Sequence, residues 1–335
     1  MDMEKWVADV IAAERKKPLP VLSFPAVQLM GITVAELIGD SKKQAEAMRL
    51  VAERTDAAAS VSFMDLSVEA EAFGSEVRVS DDEVPTVVGS VVDEDSDPED
   101  LEVPEVGAGR TGLYVEAIRE VAPLIQDRPV LAGCIGPFSL AGRLMDVSEA
   151  MVLCYEDPEL VHAVLAKCTA FIAAYAKAFK DAGADGVVVA EPLAGLLPPA
   201  LVQGFSTDYV RRVVGAVQDA SFAVVYHNCG PSVVAAAEAV AATGAAAFHF
   251  GNAVGMAEVL PLMPEGALVM GNVDPAGQIR NGTPESVREA TLALMEACSG
   301  YPNFVPSTGC DVPPMSPWEN VDAFFAAVEE FYDRK

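Results

Sequence analysis

Positive charge is scarce in this sequence. Its 335 residues carry 22 Lys and Arg against 50 Asp and Glu, a formal net charge of −28. Binding nucleic acid needs a basic face against the phosphates, so that class of partner is excluded. A heavily anionic substrate is disfavoured unless a local basic pocket exists. Long apolar runs are missing as well. No stretch of about 20 residues, the length of a membrane span, is free of charge or a breaker. The opening "MDMEKWVADV" has acids where a secretory leader has an apolar core. The six cysteines follow no short framework spacing, which fits a reducing cytoplasm rather than disulfides. No G-x-G-x-x-G follows a first strand, so the argument for a doubly wound dinucleotide-binding sheet is weak. No internal repeat is visible.

Apolar residues make up 51% of the chain, enough for a large core. The acids concentrate in residues 80–105, "SDDEVPTVVGSVVDEDSDPEDLEVPE", a run without Lys or Arg. Such a run reads as a solvated insertion loop, or as a dock for a basic partner. Elsewhere, short apolar runs alternate with longer helical stretches. The strand candidates are 20–25, 57–65, 129–137, 185–192, 222–228, 245–251, 267–272 and 303–309. They are apolar on both faces, as buried parallel strands are. Segments 157–183 and 283–298 open on a capping residue followed by Pro, and 316–332 is amphipathic, so all three predict helices, as does 111–126. Eight strands interleaved with helices predict an α/β fold, a (β/α)8 TIM barrel. The expected organisation is one domain over 1–335, with an N-terminal helix in 1–18 and the acidic insertion after strand 2.

Barrel chemistry sits at the C-terminal ends of the strands. The polar residues there are Asp65, Glu191, His227, Cys229, Asn252, Asn272, Asp274 and Cys310. His162 falls in a helix. His249 falls within strand 6, either facing the barrel mouth or packed in the core. "VVYHNCGPS" places His227 and Cys229 where an apolar run meets a Gly-Pro turn, and "VPSTGCDVPP" places Cys310 after the last strand. One imidazole and two thiolates make a zinc site with an open fourth position. Sulfur ligands favour zinc over magnesium or manganese. On spacing alone, two unrelated buried thiols and a nearby histidine remain an equal reading.

The stretches "VVYHNCG", "VVVAEPLAG", "VLAGCIGPFSLAG", "GNVDP" and "STGCDVPPMSPWENVDAF" resemble the uroporphyrinogen-decarboxylase-like superfamily. More narrowly, they resemble the methylcobamide:coenzyme M methyltransferases, from about residue 57 to the C-terminus. The resemblance implies a TIM barrel and zinc held by His227, Cys229 and Cys310. It implies a methylated corrinoid (methylcobamide) on a partner protein as methyl donor, and a small thiol such as coenzyme M as acceptor. Glu191 is a candidate fourth ligand, a group orienting His227, or a structural cap. Asp274 is a candidate catalytic or loop-shaping residue. Asn272 and Arg143 are candidate substrate contacts, Arg143 for an anionic tail on the thiol. The stretches 133–142 and 272–282 read as Gly-rich mouth loops that let backbone approach a bulky ring.

Other readings stay open. Uroporphyrinogen decarboxylase needs convergent arginines for its carboxylates, and "PLPVLSFPAVQLMG" has none. Transfer to homocysteine, as in cobalamin-independent methionine synthase, uses the same metal chemistry, but that enzyme resembles a two-barrel protein of about twice this length. Tetrahydrofolate is a further acceptor, and a non-catalytic corrinoid- or zinc-binding barrel is a reading of another class.

Overall fold

The computed structural model describes residues 1–334. Its strands are β1 (Ser60–Val61), β2 (Glu76–Arg78), β3 (Thr86–Val88), β4 (Val130–Ile135), β5 (Gly186–Ala190), β6 (Ala223–Asn228), β7 (Ala247–Phe250), β8 (Leu268–Val273) and β9 (Phe304–Thr308). β1 and β4 to β9 form one parallel sheet in the order β1-β4-β5-β6-β7-β8-β9, and β2 pairs with β3 antiparallel. Helices connect the parallel strands, as parallel pairing requires.

Seven of the eight expected staves are therefore strands. The eighth, residues 20–25, is not, and the reason is chemical. "PLPVLSFP" puts proline at 18, 20 and 25, so alternate backbone donors are missing. The segment nevertheless runs extended between the sheet's two edges. Leu19 N–H donates to Pro306 O at 2.9 Å on β9, and Ala58 N–H donates to Pro18 O at 2.8 Å just before β1.

Side chains sort into two apolar clusters. One lies between sheet and helices. The other holds Val61, Leu131, Val188, Ala190, Ala223, Val225, Ala247, Leu268, Met270 and Val305, which alternate along their strands and face inward together. Helix Met3–Ala12 closes the lower end of this interior with Met3 and Val7, and Met3 N–H donates to Ala220 O at 2.7 Å.

Helix boundaries follow local chemistry. Asp157 caps helix Pro158–Asp181 through Leu160 N–H, and Thr283 with Ser286 forms a capping box on helix Pro284–Cys298. Helices Thr111–Val121 and Trp318–Asp333 occupy the other two expected stretches. Helix Pro158–Asp181 is long and apolar enough to cross a membrane by length and composition alone, yet just over half of its 18-residue apolar window is buried inside the protein. Two expectations need correction. Residues 133–142 are not a loop: Pro137, with its fixed φ, starts helix Pro137–Met145. The acidic run is not wholly loop, because β3 lies within it and pairs with β2. Further on, Val91 and Val92 N–H donate to Leu144 O, and Lys167 Nζ donates to Leu101 O at 2.6 Å.

Leu268 is fully buried inside the ring of strands. Leu268→Ala is expected to destabilise the chain by about 2–5 kcal/mol in urea unfolding, against less than about 0.5 kcal/mol for Leu124→Ala on the exposed surface.

Candidate functional site

Strand alternation decides what reaches the upper end of the interior. Ala223 and Val225 of β6 face inward, so His227 does too, and Cys229 follows just beyond the strand. By the same count His249 follows Ala247 on β7, Asn272 follows Met270 on β8, and Ser307 follows Val305 on β9. Register puts His227 beside Ala190 on one side and His249 on the other, with Asn272 beside Ser307.

His227, Cys229 and Cys310 bring one ligand atom each within 4.8 Å of one another. Cys310 Sγ lies 3.5 Å from His227 Nε2. Tetrahedral zinc with ordinary Zn–S and Zn–N bonds sets that ligand pair about 3.6 Å apart, so the donor set fits the metal in type and spacing. His227 is buried, whereas both cysteines are partly exposed at the mouth. The first ionisation of the thiol pair is eased, chiefly because Cys310 donates a hydrogen bond to the Cys229 sulfur. Cys310 is pushed up in turn by that neighbouring charge and by burial. A dication would favour loss of the second proton as well.

Close packing holds the triad. A Cβ on Gly251 would stand 2.4 Å from the Cys229 Cβ. Asn228, on the outward face, accepts from Gly230 N–H at 2.9 Å and donates to Tyr226 Oη at 2.9 Å, which fixes the turn carrying Cys229.

The other expected site residues are dispersed. Glu191 comes one residue after inward Ala190 and so turns outward. Its carboxylate accepts from Phe138 N–H, Ser139 N–H and Ser139 Oγ–H at 2.7–2.9 Å, capping helix Pro137–Met145. Burial raises its pKa to about 7 despite those bonds. Its contact with His227 is through backbone: Glu191 N–H donates to His227 O at 2.8 Å. Asp274 accepts from Ala276 and Gly277 N–H at the start of the π-helical turn Pro275–Arg280, which replaces the expected mouth loop. Asn272 donates to Gly251 O and Val254 O at 2.9 and 2.7 Å, tying down the loop behind Cys229. Arg143 sits in the last turn of its helix, with a buried Nε that lacks a partner; burial lowers its pKa. No hydrogen bond or ion pair joins it to the triad among the described residues.

Two features went beyond the sequence reading. One is the contact made by His249, which the sequence leaves open between barrel mouth and core: its Nδ1 lies 2.7 Å from His227 Nδ1. Continuing the alternation from Ala247 would have found it. The other is a buried charge cluster after β1. Arg110, at the far end of the acidic segment, pairs with Asp65 and with Glu71, and Tyr114 Oη donates to Asp65 at 2.8 Å. Nearby Glu69 accepts from Ile135 N–H, and burial pushes its carboxyl up to about 8. His162 stays apart, its Nδ1 2.8 Å from Tyr209 Oη and its ring stacked on Phe205.

Two outcomes follow from this geometry. Gly251→Ala is expected to push the Cys229 turn aside and to lower the triad's affinity for added zinc by roughly tenfold or more in a chelator competition, with His227, Cys229 and Cys310 all retained. Glu69 keeps its proton in the folded chain to about pH 8 but loses it near 4.5 when unfolded. Its contribution therefore lowers stability as pH rises between those values, and Glu69→Gln is expected to flatten that part of a denaturation-versus-pH curve.

The uroporphyrinogen decarboxylase (URO-D) family profile matches residues 21–331. A methylcobamide:CoM methyltransferase, MtbA of Methanosarcina acetivorans, is 29% identical over 271 residues, covering 80% of this chain and 78% of that protein. A uroporphyrinogen decarboxylase of Coxiella burnetii is 26% identical over 286 residues, covering 82% and 77%. Among solved structures, a methyltransferase from Methanosarcina mazei superposes with TM-score 0.86 over 99% of this chain and 98% of its own, at 24% identity. A B12-independent methionine synthase from Shewanella sp. W3-18-1 superposes with TM-score 0.60 at 15% identity, covering 96% of both chains. That chain is of comparable length, so length does not separate this protein from every methionine synthase, contrary to expectation. The resemblance carried by the His-x-Cys and late Cys motifs is borne out, and the chain belongs to the uroporphyrinogen decarboxylase (URO-D) family.

Proposed function

We propose that this chain is a methyltransferase that moves a methyl group from a methylated corrinoid to a small thiol, with His227, Cys229 and Cys310 holding zinc. The observation that carries the proposal is the convergence of one imidazole and two thiols at the mouth of the strand ring. The name of the MtbA relative supplies the methylcobamide donor and coenzyme M as the default acceptor.

Zinc held there would act as a Lewis acid that keeps a substrate thiol ionised near neutral pH. The remaining work falls to the chain. Cys229 and Cys310, as cysteinates, would offset the metal's charge and so leave a substrate thiolate nucleophilic. Buried His227 fixes the depth of the site, and the partly exposed cysteines face the side from which a bulky donor arrives. In the transfer a carbon–sulfur bond forms, the carbon–cobalt bond breaks, and its electron pair leaves with cobalt. The donor is read as a corrinoid protein docking over the mouth. Glu191 and Asp274 are read as positioning residues that shape the β5 and β8 ends. Asn272 is read as bordering the substrate.

Decarboxylation of a porphyrinogen has less support, although relatives with that name exist. Residues 18–31 contain no arginine, and Arg110 near the mouth is already neutralised by Asp65 and Glu71.

The test is an anaerobic assay of the zinc-quantified protein with methylcob(III)alamin and a panel of thiols, coenzyme M and homocysteine among them, followed by visible spectrum. Methylcobalamin is expected to be consumed with one thiol and spared with the others. His227→Ala and Cys310→Ala are expected to lose zinc and bring the rate to background, with the circular dichroism spectrum unchanged. Full activity in either zinc-free variant would refute the mechanism.

A further inference from the structure

We infer that His249 is a positioning residue that fixes which nitrogen of His227 is free to bind metal. The inference rests on the proposed ligand role of His227 and on the direction of one hydrogen-bond chain.

Each link allows one direction only. Ser307 Oγ lies 2.7 Å from Leu19 O, and a carbonyl can only accept, so the hydroxyl proton points there. Ser307 Oγ therefore presents lone pairs to His249 Nε2, 2.9 Å away. Thr308 O, 2.7 Å from the same nitrogen, is a second acceptor. His249 Nε2 carries the proton, and in the neutral ring Nδ1 is left with a lone pair. That lone pair faces His227 Nδ1 at 2.7 Å. The carbonyl of His249 itself lies 3.2 Å from the same His227 nitrogen and also demands a donor. His227 thus carries its proton on Nδ1 and keeps Nε2 bare. Nε2 is the atom 3.5 Å from Cys310 Sγ.

A metal-binding histidine usually donates its second nitrogen to a carboxylate, carbonyl or water. Here a second imidazole takes that place, and the closing segment at Leu19 anchors it. The tilted contact of the two rings, centroids 4.6 Å apart, sets the plane in which Nε2 approaches the cysteines. Burial of both rings keeps water from supplying a competing proton donor.

The chain has three histidines, so nitrogen-15 labelling resolves each one. In the metal-free protein at neutral pH, long-range proton–nitrogen spectra are expected to show opposite tautomers: His227 protonated on Nδ1 and His249 on Nε2. The same tautomer in both, or a proton on His249 Nδ1, overturns the inference without any variant. Zinc affinity by chelator competition gives the second readout. His249→Leu removes the acceptor and is expected to weaken zinc binding by about 10–100-fold. His249→Asn restores an acceptor near the Nδ1 position and is expected to recover most of that loss, with the cobalt(II)-substituted spectrum close to wild type. Equal affinity in all three chains overturns the positioning role and leaves the metal reading standing. Absence of zinc uptake by the wild-type chain overturns the metal reading and the positioning role with it.

Discussion

Everything at the mouth depends on the two-residue alternation of a parallel strand. Inside a ring of strands only every second side chain points inward, and the lower layers are already taken by Val61, Leu131, Val188, Val225, Leu268 and Val305. Polar chemistry is confined to the last inward position before each strand ends. His227, His249, Asn272 and Ser307 all occupy such positions; His227 is level with His249, and Asn272, one inward step above the Met270 that faces His249, is level with Ser307. A shift of one residue in any of these strands would exchange the inward face for the helix face. Glu191 illustrates this: one step beyond inward Ala190, it caps a helix instead of joining the triad.

The fold also separates two uses of buried charge. Near the triad lie the thiols, two imidazoles and backbone carbonyls, joined by hydrogen bonds and, among the described residues, not by ion pairs. After β1, Arg110 is matched by Asp65 and Glu71 and tied to Ser67 at 2.8 Å. Leaving a charge buried without its partner is costly, so this cluster locks the far end of the acidic segment against the barrel. The middle of the segment is held by backbone, through Val91 and Val92 N–H to Leu144 O. The many acids between these anchors face solvent, which suits a run that contains no cation of its own.

How much of this was legible in the sequence varies by residue type. His227 and Cys229 stood out as a histidine and a cysteine two apart at the end of an apolar run, and Cys310 from its place after the last strand; spacing alone did not separate them from unrelated thiols, and the family motifs did. Helix starts at Asp157-Pro158 and Thr283-Pro284 were legible because caps are local chemistry. The first stave was over-read, since apolar content hid the three prolines that prevent a regular ladder. Helix Pro137–Met145 was under-read, because its glycines masked a proline-initiated turn. Tertiary direction was the harder limit. The sequence names Arg143 and Glu191 as chemically able, but not that one lies in the last turn of a helix without a bond to the triad among the described residues and the other caps that helix. It offers His249 without saying that its partner lies on the neighbouring strand. The hairpin of β2 and β3 was hidden by its acidic surroundings.

The floor laid by Met3 and Val7 has a kinetic meaning. With the lower end of the ring filled by a helix and aliphatic side chains, the triad opens toward the upper end. In the proposed reaction a small acceptor and a bulky donor would both arrive from that side. Such a pair could not come and go independently: the smaller would be seated before the larger covered it, and departure would run in reverse.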